Sequence, residues 1–174
     1  MLALAPFTLA DADWLIGWVP DERFLLQWSG PQYTFPLTQE QLAQTWAATQ
    51  QVPTTHLMFT VRTVPDDRVI GHVELVSLDL KQRRAHVARV LIGDPSERRR
   101  GRGTELMQAL VRHAFGPLGL ETLTLAVFTF NAGAIACYRR VGFVPAEERP
   151  EPRRFGAETW DLIRMRLDRP AVAG

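Results

Sequence analysis

The chain has 174 residues, of which 46% are hydrophobic and 22% charged, and its formal net charge at pH 7 is +1. A net charge this close to zero excludes a protein built mainly for nucleic-acid binding. No apolar run approaches the roughly 20 residues of a membrane span. Neither a nucleic acid nor a membrane is therefore expected as a partner. The single cysteine, Cys137, excludes an internal disulfide framework and cannot form a metal cluster by itself. The N-terminus does not resemble a signal peptide, so a cytoplasmic location is expected. The length favours one domain over residues 1–174.

The first half of the sequence predicts an edge strand, two helices and a pair of strands. Pro6 favours an edge position for the first strand, and Thr38 with Gln41 has the spacing of a capping box at the start of the second helix. The segment between the two helices is rich in aromatic residues and is expected to be irregular. The predicted ranges are a strand over residues 2–8, helices over 11–19 and 39–50, an irregular segment over 20–36, and strands over 56–63 and 69–76.

The second half alternates strands with helices. A valine-rich strand over residues 84–92 stops at Gly93-Asp94-Pro95, and a glycine turn then leads into a helix that ends at Gly116. The next strand follows directly, so this unit is expected to be a right-handed crossover between parallel strands. Strands over 122–128, 142–145 and 159–167 and a helix over 132–140 complete the order. The predicted fold class is α/β or α+β with a mixed sheet.

Residues 98–103 read Arg-Arg-Arg-Gly-Arg-Gly and stand between the strand and the helix of this crossover. The first amide groups of a helix lack intrahelical acceptors and the helix dipole adds positive charge, so this position favours an anion such as a phosphate. Gly101 and Gly103 let the backbone approach the anion, and the guanidinium groups can add charge-assisted bonds. A solvated basic loop with glycines for a tight turn is the alternative from spacing alone.

The turn is neither a Walker A loop, which ends in Gly-Lys-Ser/Thr, nor a dinucleotide fingerprint, because Met107 stands near the place of the third glycine. It resembles the Arg/Gln-x-x-Gly-x-Gly/Ala signature of the GCN5-related N-acetyltransferases (GNAT family), through Arg98, Gly101 and Gly103. A downstream segment is similar to the second signature of that family. Its matching residues are Asn131, Ala134, Tyr138, Gly142 and Phe143.

The resemblance is to the GNAT family, with the ribosomal-protein and amine acetyltransferases as the most similar branch, and it implies a mixed sheet of about seven strands flanked by about four helices. It also implies acetyl-CoA as co-substrate, with the pantetheine arm between two diverging strands. The backbone of Val90, Leu91 and Ile92 would lie beside that arm. The pyrophosphate and the adjoining parts would be held by Arg98, Arg99, Arg100, Gly101, Arg102, Gly103, Thr104 and Asn131.

In the reaction that this resemblance implies, a neutral amine attacks the thioester directly. Tyr138 would lie near the sulfur and donate a proton to the leaving thiolate. A backbone N–H near Leu91 or Ile92 would stabilise the oxyanion. Cys137, the neighbour of Tyr138, is expected to be a packing residue, so no covalent intermediate is predicted on it.

A general base is needed only to deliver the amine without its proton, and water can relay that proton. Glu74 and His86 lie on predicted central strands and are the candidates, with His72 on the same strand face as Glu74. The alternatives are that Glu74 is a solvent-facing carboxylate and that His86 is a strand histidine satisfied by a neighbour.

The charge distribution bears on the acceptor. Residues 1–80 contain three arginines against nine acidic residues, a balance of −6, whereas residues 81–104 contain eight basic residues against two acidic ones, a balance of +6. The resemblance implies an acceptor pocket formed partly by the first helices, with Asp21, Glu22 and Glu40 near its mouth. A cationic acceptor is therefore expected: a small amine, a polyamine or a protein N-terminus. For the acidic residues, the alternative is ordinary surface charge. For the function, the alternative is a non-catalytic acyl-CoA sensor on the same fold. A homodimer is also possible.

Overall fold

The fold is built on a mixed sheet of seven strands, in a computed structural model that describes residues 1–148 and 150–171. The described chain has nine strands, seven in this sheet and two in a separate hairpin. They are β1 (Leu2–Pro6), β2 (Leu57–Thr63), β3 (Val69–Asp79), β4 (Arg84–Ile92), β5 (Thr122–Phe128), β6 (Val144–Pro145), β7 (Arg153–Phe155), β8 (Glu158–Trp160) and β9 (Leu162–Asp168). The order across the sheet is β1-β2-β3-β4-β5-β9-β6, and β7 and β8 form a separate hairpin. The predicted class, a mixed α/β sheet, is confirmed.

Helices cover both faces of the sheet. Within the described ranges they are α1 (Ala12–Trp18), α2 (Glu22–Ser29), α3 (Gln39–Thr49), α4 (Arg102–Phe115) and α5 (Ala132–Val141). The first three pack on one face, where Leu15 shares a core with Met58 and Leu91. On the other face, Leu106 and Val87 belong to the larger core that α4 and α5 cover. None of these described helices has both the length and the apolar character needed to cross a membrane.

The segment predicted as irregular, residues 20–36, contains α2, so that prediction is wrong. The Asp21 carboxylate caps the helix by accepting a hydrogen bond from the Phe24 N–H (2.7 Å), and Leu25 is buried. Phe24, Leu25 and Trp28 have the spacing of an apolar helix face, a signal that the flanking prolines obscured. With α2, the described chain has five helices instead of about four.

The last predicted strand, residues 159–167, is two strands. β8 pairs with β7 in the hairpin, whereas β9 pairs antiparallel with β5 inside the main sheet. Asp161 separates the two and is exposed, while Trp160 is buried against Phe128 and Phe130. Residues of strand-forming type continue on both sides of Asp161, so sequence pattern alone did not reveal the break.

The predicted crossover is confirmed, since α4 connects β4 to the parallel strand β5. The two strands pair only from Arg84 with Thr122 to Val87 with Leu125. Beyond the last of these pairs in the described sheet, β4 and β5 diverge. This divergence opens the sheet near its centre, and residues from the end of β4 and from the start of α5 line the gap.

Candidate functional site

A cleft of about 380 Å³ lies where β4 and β5 diverge. The backbone edges beyond Val87 and Leu125 face it from both sides, which suits an extended chain with amide groups of its own. The predicted residues Val90 and Leu91 line the cleft, and α2 and α5 close it with apolar and aromatic side chains. Ile92 lies at the end of β4, just past the lining residues.

A β-bulge shapes the β4 wall of the cleft. The register between β3 and β4 shifts between His72 and Glu74, where β4 places two residues, Arg89 and Val90, opposite one. Arg89 has a left-handed φ of 51°, and its carbonyl accepts a hydrogen bond from the Trp28 indole (3.0 Å). The helix α2 therefore helps to fix the backbone of β4 at the cleft.

The N-terminus of α4 follows the loop after β4. Gly101, the N-cap residue, has a φ of 77°, a conformation that any side chain would strain. The first bond within the helix runs from the Glu105 N–H to the Gly101 carbonyl (3.1 Å). The amides of Arg102, Gly103 and Thr104 therefore lie before the first intrahelical bond of the described helix and can serve an anion such as a pyrophosphate.

Arg98, the first residue of the predicted signature, directs its guanidinium group at the backbone. Its Nε donates to the Ile92 carbonyl and its Nη2 to the Gly93 carbonyl, each at 3.0 Å. These bonds tie the loop to the end of β4. The side chain would have to leave them to reach a phosphate, so its visible effect is to position the loop.

Arg102 is also engaged within the protein. Its Nε donates to Glu97 (2.7 Å) and its Nη1 to Glu105 (2.8 Å). The Glu97 side chain is almost fully covered, and its hydrogen bond from Arg102 is the main cause that lowers its pKa. Arg99 and Arg100 are exposed beside the start of α4, where their guanidinium groups can reach an anion.

Tyr138 and Asn131 line the cleft from α5 and its N-cap. Burial, reinforced by the neighbouring Cys137, raises the pKa of the Tyr138 phenol, so the phenol stays protonated at neutral pH and can donate. The Asn131 side-chain oxygen accepts a hydrogen bond from the Ala134 N–H (3.2 Å), which leaves its amide NH₂ for other partners. Thr104 lies at the start of α4 as predicted, with its hydroxyl 3.5 Å from the Cys137 sulfur.

His86 lines the cleft from β4, and its Nδ1 lies 2.9 Å from the Thr124 hydroxyl. Burial, reinforced by the positive charges of Arg164 and Arg89, lowers the pKa of His86 to about 4. The ring is therefore neutral at neutral pH but a weak base. Arg164 and Arg89 place positive charge near this end of the cleft.

Glu74 is fully buried, so the alternative of a solvent-facing carboxylate is wrong. It accepts hydrogen bonds from His56, from His72 (2.9 Å) and from Arg89 Nη2 (2.6 Å). Burial alone would raise the pKa of Glu74, but the bonds from the two histidines and the charge of Arg89 hold it well below its usual range. Within the described chain Glu74 does not line the cleft, and its geometry suits holding Arg89 better than accepting a proton.

Arg89, His56 and Tyr33 are site residues that the sequence analysis missed. They line a second cavity of about 670 Å³, which we call the polar pocket. The available signal was Arg89, a charged residue within the apolar second half of a valine-rich strand. The polar pocket is lined by Gln32, Tyr33, Thr34, Gln41, Gln44, Thr45, Ala48, Thr55, His56, Val76, Ser77 and Arg89.

The acidic residues expected at the mouth of the site lie elsewhere. Asp21 caps α2, and Glu22 and Glu40 each border a different cavity. Among the residues that the structure describes, no carboxylate lines the cleft, whereas Arg89 and Arg153 do. The negative balance of the first 80 residues is thus not concentrated at the cleft.

The sequence matches the model of the acetyltransferase (GNAT) family over residues 22–143, which is most of the chain. The chain belongs to the GNAT family. Acetyl-CoA is the co-substrate of GNAT enzymes, and this protein is an acyl-CoA-dependent acetyltransferase. The resemblance to the family is confirmed, whereas its narrower assignment to the ribosomal-protein and amine branch is not.

Solved structures share the GNAT fold of this chain. Spermidine N-acetyltransferase from Vibrio cholerae in complex with CoA and spermine has a TM-score of 0.80 at 20% identity, covering 96% of this chain and 95% of that one. A dodecameric structure of the Vibrio cholerae enzyme has a TM-score of 0.75 at 19% identity, covering 96% and 93%. At this identity the likeness establishes the fold alone.

Proposed function

We propose that this acetyltransferase transfers the acetyl group of acetyl-CoA to a primary amine by direct attack, with Tyr138 as general acid. The observation that carries the proposal is the position of the Tyr138 phenol, which lines the cleft where β4 and β5 diverge and is protonated at neutral pH. The amine nitrogen bonds to the carbonyl carbon as the carbon–sulfur bond breaks. The phenol would then supply the proton that the departing thiolate takes up, and the proton that the new amide nitrogen loses would restore the phenol.

The amine must arrive without its proton, and the charges around the cleft favour that state. Burial and, secondly, the positive charges of Arg164 and Arg89 lower the pKa of His86, and the same two effects would lower the pKa of an ammonium group in the cleft. We propose that water takes the proton. Glu74 already accepts three hydrogen bonds, and His86 is too weakly basic for the task.

For the cofactor, we propose that backbone groups do most of the binding. The β4 edge would pair with the pantetheine arm, a β4 N–H near Leu91 or Ile92 would stabilise the oxyanion, and the first amides of α4 would bind the pyrophosphate. Arg98 would position the loop through its bonds to the end of β4. The residues proposed to contact the cofactor are Val90, Leu91, Ile92, Arg99, Arg100, Gly101, Arg102, Gly103, Thr104 and Asn131.

The test of this proposal is the variant Tyr138→Phe, which keeps the ring and removes the acidic proton. We expect kcat to fall about 100-fold, because general acid catalysis contributes on that scale, while the Kd for CoA measured by calorimetry stays unchanged. Cys137→Ser is the matched control on the same helix and should retain kcat, since no covalent intermediate is proposed there. Full activity of Tyr138→Phe would contradict the acid role.

The competing function is a non-catalytic acyl-CoA sensor on the same fold. Release of free thiol from acetyl-CoA in the presence of a panel of amines separates the two. An enzyme releases thiol in an amine-dependent manner, whereas a sensor binds CoA without turnover. Tight CoA binding with no thiol release from any amine would favour the sensor.

A cationic acceptor is the second candidate for the substrate. Its support is the acidic first part of the chain and the spermine bound by the Vibrio cholerae enzyme of the same fold. The lining of the cleft, with two arginines and no carboxylate among the described residues, weighs against it. Turnover of spermidine compared with that of other primary amines tests this candidate, with a protein N-terminus supplied as a short peptide.

A homodimer is also proposed, to be tested by light scattering.

A further inference from the structure

The polar pocket adjoins the cleft. Arg89 and Val76 line both cavities, so the two cavities meet at these residues. The pocket is bounded by α3, by the segments after α2 and before β2, and by β3 and β4. It lies on the same face of the sheet as Glu74, and apart from the cleft residues Arg89 and Val76 its lining lies away from the residues proposed to contact the cofactor.

The lining of the polar pocket is hydrophilic and carries one sign of charge. Glutamine, threonine and serine side chains supply most of its polar groups. Among the described lining residues, Arg89 is the one with a permanent charge, and no carboxylate is present. A ligand that enters this pocket therefore meets hydrogen-bond donors and a guanidinium group whose charge is paired with that of the buried Glu74.

Two buried donors at the polar pocket have no protein acceptor among the described residues. The Arg89 side chain is 9% exposed; its Nη2 donates to Glu74, but its Nε–H has no partner. Tyr33 is 8% exposed and its hydroxyl is likewise without a partner, beside Thr45, whose own hydroxyl donates to the Gln41 carbonyl (3.2 Å). Buried donors without acceptors are unfavourable, so both groups favour a ligand that supplies acceptor oxygens.

We propose that the acceptor amine carries a carboxylate and that the polar pocket binds this carboxylate through Arg89 and Tyr33 while the amine lies in the cleft. This inference rests on the proposed function and names its substrate class. A carboxylate is an acceptor-only group and can take a hydrogen bond from each of the two donors. An ammonium group, as in a polyamine, would place further donors against them.

The surrounding residues prepare Arg89 for this task. Glu74 holds one nitrogen of the guanidinium group and the bulge in β4 fixes its backbone, so little conformational freedom is lost on binding. The Glu74 charge is shared by His56 and His72, which reduces its repulsion of a second carboxylate. Burial, reinforced by the charge of Glu74, raises the pKa of Tyr33 to about 12, so its hydroxyl keeps its proton.

The experiment compares acceptors that differ only at the end remote from the amine. ω-Amino carboxylates of increasing chain length are assayed beside the matching ω-amino amides and diamines, with thiol release from acetyl-CoA as the readout. At the best chain length we expect kcat/KM for the carboxylate to exceed that for the amide and the diamine at least about tenfold. Equal or better turnover of the amides or diamines would overturn the inference and leave the proposed function intact.

Two variants test the donors. Tyr33→Phe keeps the ring stacked on Trp28 and removes only the hydroxyl, so we expect kcat/KM to fall severalfold for carboxylates and less for amides, whose carbonyl oxygen is the weaker acceptor. The paired change Arg89→Gln with Glu74→Gln removes both charges together, which avoids an uncompensated buried charge, and should abolish the preference. A preference that survives both variants would contradict the role of these residues.

A binding measurement keeps the inference testable without turnover. Calorimetry of the CoA-loaded protein with an ω-amino carboxylate and its amide reports the same preference. Tighter binding of the carboxylate supports the inference even if no acceptor is acetylated, a result that would overturn the proposed function alone. Equal binding of both would overturn the inference.

Discussion

Single residues around the cleft have protonation states that the fold determines. Burial keeps the Tyr138 phenol protonated and the His86 ring neutral, while three hydrogen bonds keep the buried Glu74 ionised. Each state follows from whether a charged partner compensates the loss of water. Burial favours the neutral form of both groups, but the partners of Glu74 keep it charged, whereas His86 has positive neighbours only and stays neutral.

The lowered pKa of His86 predicts a pH dependence of stability. The folded value is about 4 and the ordinary value is 6.5, so between these two the unfolded chain binds a proton that the folded one does not. Stability should therefore fall as the pH drops from 6.5 towards 4, by up to about 3 kcal/mol from this group, with no further loss from it below pH 4.

The measurement is urea unfolding of the wild type and of His86→Gln across this pH range. The variant should lose less stability on acidification than the wild type. His113→Gln is the control, because burial also lowers the pKa of His113 but no large shift is seen there. Identical pH profiles for the wild type and His86→Gln would show that His86 is protonated as readily in the folded protein as in the unfolded chain.

At the scale of elements, β4 and β5 were predicted to their terminal residues, because each is a run of apolar and β-branched residues ended by turn residues. The helix α2 was missed, since prolines and aromatic residues around it outweighed the apolar spacing of Phe24, Leu25 and Trp28. Patterns within a short stretch of sequence thus identified the elements whose ends are marked by neighbouring turn residues. The break at Asp161 depends on which strand each half pairs with, and that information is not local.

The same division applies to the site. Arg98, Gly101 and Tyr138 were predicted because they belong to short motifs of fixed spacing. Arg89 and Tyr33 were not, because what makes them notable is a pocket formed by segments far apart in the chain. Sequence spacing also did not reveal that the Arg98 and Arg102 side chains bond within the protein.

The loop before α4 yields a prediction at this scale. Glu97 holds Arg102 and also accepts from Arg68 Nη2 (2.6 Å), so Glu97→Gln should loosen the start of α4 and weaken CoA binding, of the order of tenfold in Kd. Glu105→Gln is the matched control, because Glu105 pairs with the same Arg102 but is 32% exposed. Calorimetry with CoA measures both, and an equal effect of the two variants would contradict the special role of Glu97.

At the scale of the whole molecule, the site lies where the two helical layers meet through the sheet. One contact that joins them is at Gly93, directly after β4. A Cβ on Gly93 would overlap the Trp18 indole of α1, and the Gly93 carbonyl accepts from Arg98 in the loop that leads to α4. The packing of α1 is therefore linked to the position of the proposed pyrophosphate site through one glycine.

This link predicts a coupled effect of two substitutions. Gly93→Ala alone should destabilise the fold by about 2–3 kcal/mol, because the added methyl group overlaps a large ring, and should raise the Kd for CoA by displacing the loop. Trp18→Ala alone should also destabilise the fold, through lost packing. In the double variant the methyl group no longer meets the ring, so the combined loss of stability should be smaller than the two single losses added, by about 1–2 kcal/mol. Urea unfolding of the four proteins measures this coupling, and CoA calorimetry should show affinity partly restored in the double variant relative to Gly93→Ala. Strictly additive losses would mean that the methyl group is accommodated without the indole, and that the two layers are not coupled at this position.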